Sequence, residues 1–175
     1  MDPNIYPIGK YVQQDFSFEI LKERLLDIQS LPTLLEYSIL NLDEFQLNTS
    51  YREGGWTIKQ IVHHLADSHM NAYIRCKLAL TEESPIIKPY NQDDWALMPD
   101  AKEMPVNVSI TLLHALHLRW HEVFLHVRDS DWEKFIVHPE YNREMSLWFI
   151  LGLYAWHGKH HVEQIQQLRR NKGWS

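Results

Sequence analysis

The chain has 175 residues, 45% of them apolar, and a formal net charge of −6, which suits one domain over 1–175 with a sizeable core. No basic run or basic helix face is present, which excludes a nucleic-acid surface, and no apolar run approaches the roughly 20 residues that span a bilayer. The single cysteine, Cys76, excludes an internal disulfide framework and makes the cytoplasm the expected compartment.

Residues 1–16 carry Pro3, Pro7 and Gly9 and no helical period, so a surface arm is expected there. The opening Met1–Pro7 lacks a charged region followed by an apolar run, so no signal peptide is expected. From Ser17, a candidate N-cap, Phe18, Leu21, Leu25 and Ile28 recur at threes and fours. The pattern continues past Pro32 to about Leu40. Proline removes a backbone donor, so one kinked helix is expected. Asp43–Leu47 reads as a short helical turn and Tyr51–Gly55 as a loop.

The second long helix opens at Thr57, which forms a capping box with Gln60, and runs to about Leu80. Its apolar stripe holds Ile58, Ile61, Leu65, Ala72 and Cys76. At about 100° per residue, His64 falls on one edge of this stripe. His63 falls about 160° from Ile61 and is expected to point away from the core. Ser68, Asn71 and Arg75 continue the His64 side as a polar facet.

Residues 82–107 form a long connection broken by Pro85, Pro89, Pro99 and Pro105. Such a length suits a functional segment or a crossover joining parallel helices. Tyr90 and Trp95 are aromatic anchors that should keep it ordered. The third long helix, about Asn107 to Val127, buries Leu113, Leu116, His117, Trp120, Phe124 and Val127. Leu118 and Leu125 widen its apolar sector and suggest a homodimer surface. His114, His117 and His121 fan over about 60° of one helix. His117 is expected to face inward and the other two to be peripheral.

Residues 130–134 read as a capped turn, and Phe135–His138 with Arg143–Met145 as a small hairpin. Ser146 caps the fourth long helix and Gly173 stops it. The expected fold is all-α: a four-helix bundle with a long crossover between its second and third helices and an N-terminal arm.

The chemistry lies on the last helix. Ile150, Tyr154, His157, His161, Ile165 and Leu168 share a sector of about 80°. Two imidazoles one turn apart can meet on one divalent ion, and burying them without partners would be costly. His64 on a facing helix would complete three neutral ligands with an open position. Asp67, one turn after His64, is the nearest acidic candidate to support a ligand or act as a base. Asn71, Arg75 and His117 are candidates for substrate binding.

The run Gly54–Asn71, with Trp56, His64 and Leu65, together with Tyr154-Ala-Trp-His157-x-x-x-His161, resembles the DinB/YfiT superfamily, and YfiT-type proteins in particular. The likeness extends to Tyr6–Gly9, to Leu80–Glu83 with Pro89-Tyr90, and to Gly173–Ser175. The chain has Val162-Glu163 where many DinB proteins carry Arg-Gly after the last ligand. The resemblance implies a DinB-like four-helix bundle, a divalent ion on His64, His157 and His161, and a homodimer. Zinc and nickel are the metals expected, since imidazole suits both. The resemblance also implies one of two activities, a thiol S-transferase using bacillithiol or a metal-dependent hydrolase. In the expected transferase the ion favours the thiolate of a small thiol, and Arg75 or Arg52 receives its carboxylates. In the alternative hydrolase the same open position lowers the pKa of a bound water to about 7. A non-catalytic metal-binding protein is the third reading. Structural sites are usually closed by four ligands, so three argue against it unless His117 supplies a fourth.

Overall fold

The computed structural model describes residues 5–174, so Pro3 and Ser175 lie outside the described residues. Four long helices carry the fold: α1 (Phe18–Ile39), α3 (Ile58–Thr81), α6 (Val106–Leu125) and α7 (Leu147–Lys172). Three short helices stand between them: α2 (Glu44–Leu47), α4 (Gln92–Trp95) and α5 (Pro99–Glu103). A 3₁₀ turn (Asp129–Asp131) and a hairpin of β1 (Phe135–His138) and β2 (Arg143–Ser146) precede α7. The hairpin is antiparallel, with Phe135 opposite Ser146 and His138 opposite Arg143.

The expected helix boundaries follow from their caps. The Ser17 hydroxyl accepts from Ile20 N–H, and Thr57 and Gln60 close the capping box that opens α3. Asp43 and Gln46 close a second box on α2. Ser146 accepts from Phe149 N–H, and Gly173, left-handed at φ 65°, ends α7. α1 continues through Pro32 as one helix.

Partner pairs give the helix directions. On α1 and α7, Asp27 meets Lys159 and the Ser38 carbonyl meets Arg169, so these two run parallel. On α3 and α6, His63 meets Ser109 and His69 meets His117, so these also run parallel. α3 runs against α7, with His64 near His161 and His69 near His157. α1 runs against α6, with Ile28 near His117 and Glu36 near His114. The order is up, down, down, up. The proline-rich stretch after α3 therefore joins parallel helices, and α4, α5 and the stack of Tyr90 on Trp95 give it an ordered path.

The core has two apolar clusters with a layer of histidines between them. One cluster holds Ile28, Ala72, Cys76, Trp120, Phe124, Leu151 and Tyr154. The other holds Leu31, Leu35, Ile61, Leu65, Leu113, Ile165 and Leu168. On three of the four long helices the change of cluster falls at a histidine: His69 on α3, His117 on α6 and His157 on α7.

The arm runs along α7 in the opposite direction. The indoles of Trp148 and Trp156 donate to the carbonyls of Gln14 and Gly9, and the Gln164 amide donates to that of Ile5. Among the described residues no helix is long and apolar enough to cross a membrane.

The structure corrects the reading of His63. It was expected to point outward, yet it is 5% exposed. The crossover covers that flank of α3, and the ring bonds to Ser109 Oγ at 2.7 Å and the Met104 carbonyl at 3.1 Å. A wheel shows which side of a helix a residue occupies but not what a distant loop lays over it.

Candidate metal centre

His64 from α3 and His157 and His161 from α7 bring one ring nitrogen each to within 4.8 Å of one another. Nε2 of His157 lies 3.3 Å from Nε2 of His64 and 3.1 Å from Nε2 of His161. Tetrahedral coordination at about 2.0–2.1 Å puts neighbouring nitrogens about 3.3 Å apart. The observed spacings therefore fit a single divalent ion. His160 is also buried, but it stacks on Trp156 and stands outside the group.

The neighbours set the orientation of each ring. Trp56 packs on His64 with ring centroids 4.5 Å apart. It is delivered by the Tyr51–Gly55 turn, where Gly54 is left-handed at φ 65°. A Cβ on Gly55 would stand 2.7 Å from the Tyr51 ring, so glycine lets the turn close. His161 Nδ1 lies 2.8 Å from Gln164 Oε1. The Gln164 amide nitrogen donates to the Ile5 carbonyl, so Oε1 is the acceptor and His161 Nδ1 carries the proton. The Nε2 lone pair of His161 then faces the other two rings. Behind His157 lies His69, fully buried, and behind that His117.

Burial holds the imidazoles of His64, His157 and His161 well below their ordinary pKa, and their mutual repulsion adds to it. Neutral rings are the state that binds metal. Asp67, pushed up to about 6 by burial and by Asp100, behaves differently. Cys76 is fully buried, and burial pushes its thiol up to about 12.

Two cavities meet at this centre. One, of about 550 Å³, is walled by all three histidines with Trp56, Arg52 and Asp93. The other, of about 500 Å³, is walled by Arg75, Tyr90, His138, Tyr154 and His157. His157 and Gln92 border both.

The other candidate site residues separate. Arg75, a candidate for substrate binding, stands in a cavity wall with no acidic partner among the described residues. Asn71 donates to the Asp67 carbonyl one turn back and lines neither cavity. Asp67 lines neither as well, and the acidic residue on the wall beside the histidines is Asp93. His117 also lines neither. It is 1% exposed and bonds to the Ile28 carbonyl and to His69, so it cannot touch a substrate. Among the other three histidines of α6 and its end, His114 is exposed on Glu36 and His126 on Glu122, and His121 is half-buried. Two residues escaped the sequence reading. His69 lies in the middle of the apolar stripe of α3, a position that reads as ordinary core. Asp93 lies in the crossover, where no period places it.

Fold and cluster together define a class: a bundle whose core carries an open three-histidine group suited to a divalent ion. The DinB superfamily model matches residues 28–165, and the chain belongs to that superfamily. It is 45% identical over 170 residues to a protein of Oceanobacillus iheyensis named "Putative metal-dependent hydrolase", covering 97% of this chain and 98% of the relative. A Bacillus cereus protein of the same name is 46% identical, covering 97% of each chain. YfiT from Bacillus subtilis, described as "a probable metal-dependent hydrolase with an unusual four-helix bundle topology", superposes with a TM-score of 0.97. It shares 40% identity and covers 99% of each chain.

Proposed function

We propose that the chain is a divalent-metal-dependent enzyme that transfers a low-molecular-weight thiol to an electrophile. The observation that carries the metal is the convergence of three imidazoles, with His157 Nε2 3.3 Å and 3.1 Å from the Nε2 atoms of His64 and His161. His64, His157 and His161 would hold the ion, zinc or nickel by ligand type. When bound, such an ion supplies a Lewis acid that lowers the pKa of whatever protic group enters its open position. The two cavities that meet at His157 support a reaction of two substrates. Arg75, facing one of them without an acidic partner, suits an anionic group on the thiol or on the electrophile. Cys76 is buried with its thiol pushed up to about 12, so the nucleophilic thiol must come from outside the chain.

Hydrolysis is the second reading. The relatives' names favour it, and so does Asp93, whose place on the wall beside the three histidines suits a general base. Asp67, off both walls, suits that role less well. The homodimer belongs to the proposal too. Leu118 and Leu125, two turns apart and both exposed on α6, support it, and sedimentation equilibrium tests it.

The deciding experiment loads the protein with zinc or nickel. It offers a bimane or chloro-aromatic electrophile with bacillithiol, glutathione or cysteine, and in parallel a panel of esters and amides. Metal-dependent conjugation that is lost in His64→Ala supports transfer. Ester or amide turnover without conjugation by any thiol selects the hydrolase.

A further inference from the structure

Three imidazoles stand in file behind the centre. His157 Nδ1 lies 3.1 Å from His69 Nε2. His69 Nδ1 lies 2.9 Å from His117 Nε2. His117 Nδ1 lies 2.5 Å from the Ile28 carbonyl oxygen. His69 is 0% and His117 1% exposed, so water does not enter the file.

A neutral imidazole has one donor and one acceptor nitrogen, so each contact alone could run either way. The end of the file removes the choice. A carbonyl only accepts, so His117 Nδ1 carries a proton. Its Nε2 is then an acceptor, and His69 must donate from Nδ1. His69 Nε2 accepts in turn, and His157 must donate from Nδ1. His157 is left with a bare Nε2, the atom that faces His64 and His161.

The Ile28 carbonyl is free for this because of Pro32. Within an α-helix that carbonyl would accept from the N–H four residues on. Residue 32 is proline, inside α1, and has no N–H. A proline that costs α1 a hydrogen bond thus opens the acceptor that anchors the file. Because the file ends on a group with no proton to give, it does not conduct protons to solvent and its effect is orientational.

We infer that Pro32, His117 and His69 are positioning residues that fix His157 in its Nδ1–H tautomer and aim its Nε2 lone pair into the three-histidine group. The tautomer stands on its own, while its use to an ion rests on the proposed metal site. A ligand histidine held this way through its second nitrogen gains orientation and basicity.

The test begins with the metal-free protein, uniformly ¹⁵N-labelled at histidine. Imidazole nitrogen shifts and long-range couplings report the tautomer of each ring. Nδ1–H is expected on His117, His69 and His157 alike, and Nε2–H on His69 or His157 would overturn the inference. Zinc affinity is then measured by chelator competition. His69→Phe, folded by circular dichroism, is expected to bind about 10–100-fold more weakly, and His69→Gln, whose amide oxygen can accept from His157, to recover most of the loss. Pro32→Ala restores the competing N–H and favours the helix, so it should fold. It is expected to disturb the His117 signals and weaken zinc binding while raising Tm. Wild-type affinity in both His69→Phe and Pro32→Ala would overturn the inference. If the wild-type protein takes up no zinc but shows the three tautomers, the metal reading fails and the positioning file stands.

Discussion

Replacing Gln164 with leucine probes the centre from the side opposite the histidine file. Gln164 is 3% exposed and makes two hydrogen bonds, accepting from His161 Nδ1 at 2.8 Å and donating to the Ile5 carbonyl at 3.2 Å. Leucine fills similar space and makes neither. A buried N–H left without an acceptor costs about 1–3 kcal/mol. His161 can escape that cost by carrying its proton on Nε2, but this blocks the lone pair that faces His157. Either route weakens binding of an ion, and a loss of about 10–100-fold is expected, or about 1.4–2.7 kcal/mol. The metal-free fold should lose less, about 1–2 kcal/mol for two net hydrogen bonds, partly offset by the apolar leucine. For a chain of this size that is a fall in Tm of about 2–8 °C. Zinc titration against a competing chelator, with calorimetry of the metal-free protein, measures both. His160→Phe is the control. His160 is the buried neighbour of His161, its Nδ1 has no partner, and zinc affinity should not change on replacing it. Wild-type zinc affinity in a folded Gln164→Leu protein, or a lost site in His160→Phe, would refute the reasoning.

Three further outcomes are expected. Burial and Asp100 raise Asp67 to about 6, so between about pH 4 and pH 6 the folded protein holds a proton that the unfolded chain, near pKa 3.9, has released. Ionised Asp67 therefore penalises the fold above about pH 6, and the penalty disappears below about pH 4. In metal-free protein Asp67→Asn should raise Tm at neutral pH and leave it unchanged in acid, and an equal gain at both would refute this. Cys76 should resist a thiol reagent until the protein unfolds, because burial pushes its thiol up to about 12, and prompt labelling of the native protein would contradict that. Thr57→Ala should lose about 1 kcal/mol by denaturant titration, and Thr57→Ser should restore it, since the hydroxyl caps α3.

Much of this protein is legible in its sequence because the relevant rules are local. Ser17, Asp43, Thr57 and Ser146 mark helix starts through side-chain bonds that span three residues. The i, i+4 pair His157 and His161 shares a face because 3.6 residues make a turn. The same arithmetic puts His64 on the edge of its stripe, so the three residues of the cluster are readable before any fold is known. The tertiary structure decided what lies against each face. His63 is buried because the crossover settles on its flank. Asp93 lines the cavity beside the centre from that same segment, which has no period to read. His69 sits at the heart of an apolar stripe and looks like filler until His117, 48 residues away, supplies its partner. Pro32 looks like a kink until the facing helix places a histidine on the carbonyl it frees. Periodicity fixes the angle of a side chain about its own helix. Which helices become neighbours, and at what register, depends on burial summed over the whole chain, and no short window contains that sum.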